Sequence, residues 1–165
     1  MSMTFIPQHV ISAIIFAVMI SPTVSFSGEK PFKASFVTQE QVGFKPDCPS
    51  RFGGSTTGKG NSTHLGKVLL AGTDCIIPVE NYYKFEGKLT LTAANGDKLT
   101  GDYRGLFTPA TTASTGSMYN LADAKFNITG GTGRFAQATG SAELTGNQDI
   151  QTGKGKIEAN GTIKY

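Results

Sequence analysis

Residues 82–107 constrain the fold more than any other stretch, because they read as one hairpin whose register the side chains decide. Two alternating runs flank Asn95-Gly96. A two-residue turn would set Lys88 opposite Tyr103 and Leu89 opposite Asp102, mixing apolar and charged groups on both faces. A three-residue loop of Ala94, Asn95 and Gly96 instead sets Leu91 opposite Leu99, Phe85 opposite Gly105 and Tyr83 opposite Phe107. The other face then matches Lys88 with Asp102, Glu86 with Arg104 and Thr90 with Thr100. One face becomes apolar and the other charge-matched, which cross-strand pairing favours. Gly96 also supplies the left-handed residue on which such a loop ends. The segment therefore predicts the longer loop. It also accounts for the most conspicuous acid–base quartet, Glu86, Lys88, Asp102 and Arg104, as pairing on an outer polar face. Only if that face lined an interior would these four become catalytic candidates.

The rest of the chain follows the same period. No stretch beyond the N-terminal segment keeps a 3.6-residue apolar repeat for three turns; short alternating runs are separated by Gly, Asn, Asp and Pro, the signature of strands. Strands are predicted near 32–39, 54–62, 65–71, 82–93, 97–107, 119–129, 137–146 and 153–164, with a Pro/Gly-rich loop over 40–53 and a Thr/Ser/Ala-rich loop over 108–118. That second loop reads as a solvated connector, with a lid over a barrel mouth as the other reading. Near the C-terminus, Ala138, Gly140, Ala142, Leu144 and Gly146 share one face, as do Ile157, Ala159, Gly161, Ile163 and Tyr165. Small residues on an apolar face leave room for rings from other strands and relieve crowding where a sheet curls. With no helix to cover the sheet, closure is what removes its edges. The fold expected is all-β, a closed or nearly closed antiparallel barrel of about eight strands.

Residues 10–20, VISAIIFAVMI, carry no charge and are too short to span a bilayer, which takes roughly 20 apolar residues. They match the apolar region of a secretory signal, with Ser25 and Ser27 at a −3/−1 spacing, so residues 1–27 read as a signal peptide and 28–165 as the barrel domain. No Lys or Arg precedes the apolar run, and an uncleaved anchor or a first core strand are the other readings. A secreted or periplasmic protein follows, with no membrane span after removal of the signal. In that compartment Cys48 and Cys75, each near Pro or Asp in loop-like surroundings, are expected to form a structural disulfide. Net charge is +3 with acids and bases interspersed and no basic stripe, which argues against a nucleic-acid partner.

Gly130-Gly131-Thr132-Gly133-Arg134-Phe135 lacks the Lys-Ser/Thr and the βαβ context of a phosphate loop. It reads as a tight turn that tucks Phe135 into the barrel. The longer stretch Ile128-Thr129-Gly130-Gly131-Thr132-Gly133-Arg134-Phe135-Ala136-Gln137-Ala138-Thr139-Gly140 resembles the GGTGxFxxAxG signature of the allene oxide cyclase and dirigent-like barrels, above all their bacterial relatives of mostly unknown function. Gly60-Asn61-Ser62-Thr63-His64-Leu65-Gly66-Lys67 is loosely similar to a second segment of those relatives. The resemblance implies an eight-stranded barrel with a cavity, oligomeric in many plant members, so a homo-oligomer is a further expectation. The plant enzymes' cavity acids find no matching motif here, and cyclase or coupling activity would rest on fold alone.

His64 is the one weak catalytic candidate; a single His without a positioned Cys, Asp or Glu makes neither a metal site nor a triad. No metal and no cofactor are expected. Weak ligand-binding candidates are Tyr83, Phe85, Phe107, Phe126 and Phe135, the rings of the expected inner face. Asn61, Asn127 and Asn160 begin Asn-x-Thr sequons that matter only in a glycosylating host. The leading expectation is a small apolar molecule bound in the barrel without catalysis. The alternatives are an isomerase or cyclase acting on a lipid or phenolic intermediate, and a structural or surface-interaction protein.

Overall fold

The computed structural model describes residues 28–110 and 116–165. The expected signal peptide, and part of the 108–118 loop, lie outside the described residues. The strands run β1 (Lys30–Phe44), β2 (Phe52–Ser62), β3 (Gly66–Val79), β4 (Tyr82–Ala93), β5 (Lys98–Pro109), β6 (Met118–Gly131), β7 (Thr139–Asp149) and β8 (Lys154–Lys164). Each pairs antiparallel with its sequence neighbour and β1 closes on β8, giving the expected closed eight-stranded barrel. Side chains alternate between the interior and solvent, so the period of two that predicts the strands also builds the core.

The hairpin register is the one predicted. Leu91 pairs with Leu99, Phe85 with Gly105 and Tyr83 with Phe107. Gly96 takes φ +87°, and its N–H donates to the Ala93 carbonyl across the three-residue loop. The charged quartet lies outside. Lys88 and Asp102 form an ion pair at 2.5 Å with side chains 78% and 48% exposed.

Two expectations need correction. β1 continues to Phe44 and β3 to Val79, so residues 40–44 and 72–79 are strand where loop composition pointed to connections. Cys75 is therefore a strand residue rather than a loop one, while Cys48 does lie in the loop between β1 and β2. The two are disulfide-bonded with their Cα atoms 5.4 Å apart, which pins that loop to β3. Pro78, near the end of β3 and exposed, and Asp74, bonded through its side chain, are why polar punctuation did not end the strand. In β6 the pairing with β7 slips between Asn120 and Ala124, where Asp123 takes φ +49°. This bulge reverses the alternation within the strand, placing Leu121 as well as Ala124 on the core side.

The barrel's two ends differ. At one end the turn after β6 winds a single 3-10 turn (Gly133–Phe135), with Gly133 at φ +57°. Phe135 is wholly buried there against the Tyr165 ring, 4.8 Å between centroids. Arg134 donates to the His64 carbonyl and covers the Phe135 ring, so this end is plugged. Between the plug and the middle the interior is filled by Phe32, Phe126, Leu91, Leu99 and Ile163. The opposite end is framed by residues 45–51, 80–81, 116–117 and 150–153, and among the described residues a cavity opens there.

Candidate functional site

Toward the open end the inward positions change character. Along β1 they run Phe32, Ala34, Phe36, Thr38, Glu40, and along β3 Val68, Leu70, Gly72, Asp74, Ile76, all buried. Tyr103 enters from β5, Thr56 from β2 and Gln148 from β7, also buried. Polar side chains this far from water are stable only where they satisfy one another.

Register explains how they meet. Asp74 pairs with Gly87, and Gly87 with Tyr103, so one glycine separates the acid from the ring across three strands. Without a side chain on Gly87, Tyr103 lies over β4 and its hydroxyl donates to Asp74 Oδ2 at 2.5 Å. Asp74 Oδ1 accepts the Gly54 N–H at 2.8 Å. A Cβ on Gly54 would run into Glu40 Oε1 and stand 2.8 Å from Asp74 Oδ1, so this glycine makes room for both carboxyl groups. The Gln148 amide donates to Glu40 Oε2, whereas Glu40 Oε1 and Thr38 Oγ1 are buried without a hydrogen-bond partner. Lys45, on the disulfide-pinned loop, donates to the Gly54 carbonyl and stands 3.4 Å from that of Asp74.

The electrostatics follow from burial. Desolvation, with the adjacent Asp74 carboxylate second, raises Glu40 from 4.5 to about 6, against the opposing pull of Gln148, Thr56 and Lys45. Burial likewise raises Asp74, although the Tyr103 hydroxyl, the Gly54 N–H and Lys45 all pull it down. Burial and the neighbouring Asp74 push Tyr103 far above the ordinary phenol range, so it serves as a neutral donor. The pair thus offers one carboxyl that exchanges its proton near neutrality and a second carboxyl held by two donors.

Above this pair lies a cavity of about 530 Å³, lined by Phe52, Ile76, Tyr83 and Phe107, by rim residues Val42 and Ile150, and by Gln39, Gln41, Gln151 and Thr152. Glu40, Phe107 and Gln148 line both this cavity and the narrow void of about 30 Å³ beneath it, so they separate the two. The space lies at the mouth and not at the barrel's centre, where side chains fill it.

The structure scatters the residues singled out from sequence. Tyr83 and Phe107 line the mouth, and Tyr83 packs against Tyr119 at 5.6 Å. Phe85 and Phe126 border the narrow void. Phe135 and His64 lie at the plugged end, where the His64 ring approaches the Pro31 carbonyl at 2.9 Å and packs on Tyr165. His64 therefore does not share a site with the ring residues of the mouth. Glu40, Asp74, Tyr103 and Gln148 were not singled out. The signal was present in the parity of β1 and β3, continued past positions 39 and 71. Among the described residues no group of three or more His, Cys, Asp or Glu side chains converges as metal ligands would.

No family model matches the chain, and no curated protein does. Among solved structures it is similar to that of a pterocarpan synthase dirigent protein, with 19% identity, a TM-score of 0.50, and coverage of 88% of this chain and 98% of that one. The likeness establishes a dirigent-like barrel fold.

Proposed function

We propose that this barrel binds a small, largely apolar molecule at its open mouth, with the polar end of the ligand directed at Glu40 and Gln148. The observation that carries the reading is the mouth cavity itself: about 530 Å³, walled by Phe52, Ile76, Tyr83 and Phe107 and floored by a buried carboxyl. That volume and that mixture of apolar wall and few polar groups are those of small-molecule sites. A neutral fluorescent probe, N-phenyl-1-naphthylamine, tests it. Saturable one-site binding, lost when the exposed rim is blocked by Val42→Trp or Ile150→Trp with the fold intact by circular dichroism, supports the reading. Absence of saturable binding sinks it.

A second reading, an isomerase or cyclase, is favoured by one observation: Glu40 is held at about 6 directly beneath the cavity. A carboxyl there could take up or deliver a proton on a bound intermediate. The fold likeness to a pterocarpan synthase dirigent protein, and the GGTGxFxxAxG resemblance to allene oxide cyclases, direct attention to phenolic or lipid intermediates. Chiral analysis of products from such intermediates, with Glu40→Gln as control, tests this reading. Product ratios unchanged by the protein count against it. The disulfide fits an oxidising compartment and so supports export.

A further inference from the structure

We propose that the ligand of the mouth carries a cationic amine, its ammonium seated against Glu40 and Gln148 and its apolar body lying on Phe52, Tyr83 and Phe107. The inference rests on the mouth being a small-molecule site and adds the charge of what enters. Among the described residues that line the cavity, Glu40 is the only acid and there is no Lys, Arg or His, although the chain as a whole carries 15 Lys and Arg against 12 Asp and Glu. Beneath the floor, Asp74 adds a second carboxyl. The cation facing the pair is Lys45, whose ammonium is directed at the Gly54 and Asp74 carbonyls.

Three ligand chemistries can be compared on this floor. A carboxylate would bring another negative charge against a desolvated acid pair, which low dielectric penalises. A hydroxyl offers one neutral hydrogen bond. An ammonium offers three donors to a floor whose polar lining groups are the Glu40 carboxylate and the Gln148 amide. Ammonium binding also relieves the repulsion between Glu40 and Asp74.

The groups facing Glu40 are Asp74 from β3, Tyr103 from β5 and Lys45 from the loop after β1. Thr56 of β2, Gln148 of β7 and the inward Gly155 of β8 bring no charge. Protonation of Glu40 is therefore expected to weaken amine binding.

The test is calorimetric titration with three matched probes: 2-phenylethylamine, 2-phenylethanol and 3-phenylpropionate. At pH 7.5 the amine is expected to bind at least tenfold tighter than the alcohol, with the propionate weakest. Lowering the pH to 5 should reduce the amine's advantage. Glu40→Gln should abolish it, leaving the amine no tighter than the alcohol, and Ile150→Lys, on an exposed rim position, should selectively weaken the amine. Propionate binding as tightly as the amine, or an amine preference that survives Glu40→Gln, overturns the inference. If N-phenyl-1-naphthylamine binds at the mouth and the amine shows no advantage, only the charge assignment fails; if neither binds, the small-molecule reading falls with it.

Discussion

Tyr103 reaches across Gly87 to donate its hydroxyl to Asp74 Oδ2 at 2.5 Å, joining β5 to β3 over a strand that contributes no side chain between them. The polar floor of the mouth depends on this span. Asp74 is placed by backbone register, Tyr103 by the packing of its ring at 5.6 Å from Phe85, and the gap between them by a glycine.

Tyr103→Phe removes one of the two donors that Asp74 has from Tyr103 and Gly54 while keeping the ring. Loss of a hydrogen bond to a buried, charged acceptor costs about 1.5–3 kcal/mol. The same change should raise Asp74 further, since the phenol's hydrogen bond is what pulls it down most. Urea unfolding at pH 7 measures the cost. A loss under about 0.5 kcal/mol would mean that the bond is not made to an ionised Asp74.

Glu40 sets a pH dependence with a definite sign. Its folded-state value, about 6, lies above the ordinary 4.5, so between these limits the folded chain holds the proton more tightly than the unfolded one. The contribution of Glu40 to stability is then greatest below about pH 4.5, falls as pH rises towards 6, and is level above it. The difference amounts to about 2 kcal/mol. Glu40→Gln should remove this slope and be the more stable protein at pH 7. Thermal melts of both proteins between pH 4 and 8 give the answer; parallel curves would contradict it.

Most of the barrel is legible in the sequence because its strands have unlike faces. The hairpin at Asn95-Gly96 could be assigned a register since only one offset separates Leu91 and Leu99 from Lys88 and Asp102. The floor of the mouth was hidden for the opposite reason. Glu40 and Asp74 occupy core positions by parity, but a charged residue beside Gln, Pro, Asp or Cys carries the composition of a loop. Burial in a mutually bonded cluster makes these residues part of the strands, and those bonds come from β2, β5 and β7, remote in sequence. The bulge at Asp123 was invisible as well, because a single inserted residue leaves no mark on the apolar pattern except a change of parity.

The exposed quartet provides the contrast. Lys88→Ala should change stability by less than about 1 kcal/mol, since the ion pair with Asp102 is in solvent. The same melts resolve this. A much larger loss would place the polar face in a buried contact, such as one between copies of the chain.

Gly54→Ala tests the floor from its backbone side. The new methyl group meets Glu40 Oε1 and comes within 2.8 Å of Asp74 Oδ1, so one carboxyl must move. Overpacking of this kind costs about 1–3 kcal/mol. Because Glu40 is the obstacle, the cost should shrink in a Glu40→Ala background, where the space is vacated. A double-mutant cycle measures the coupling, with about 1 kcal/mol or more expected between the two positions. Additive costs would show that Gly54 is required for a reason other than the carboxyl above it, and would remove the steric link between this strand and the acid that faces the mouth.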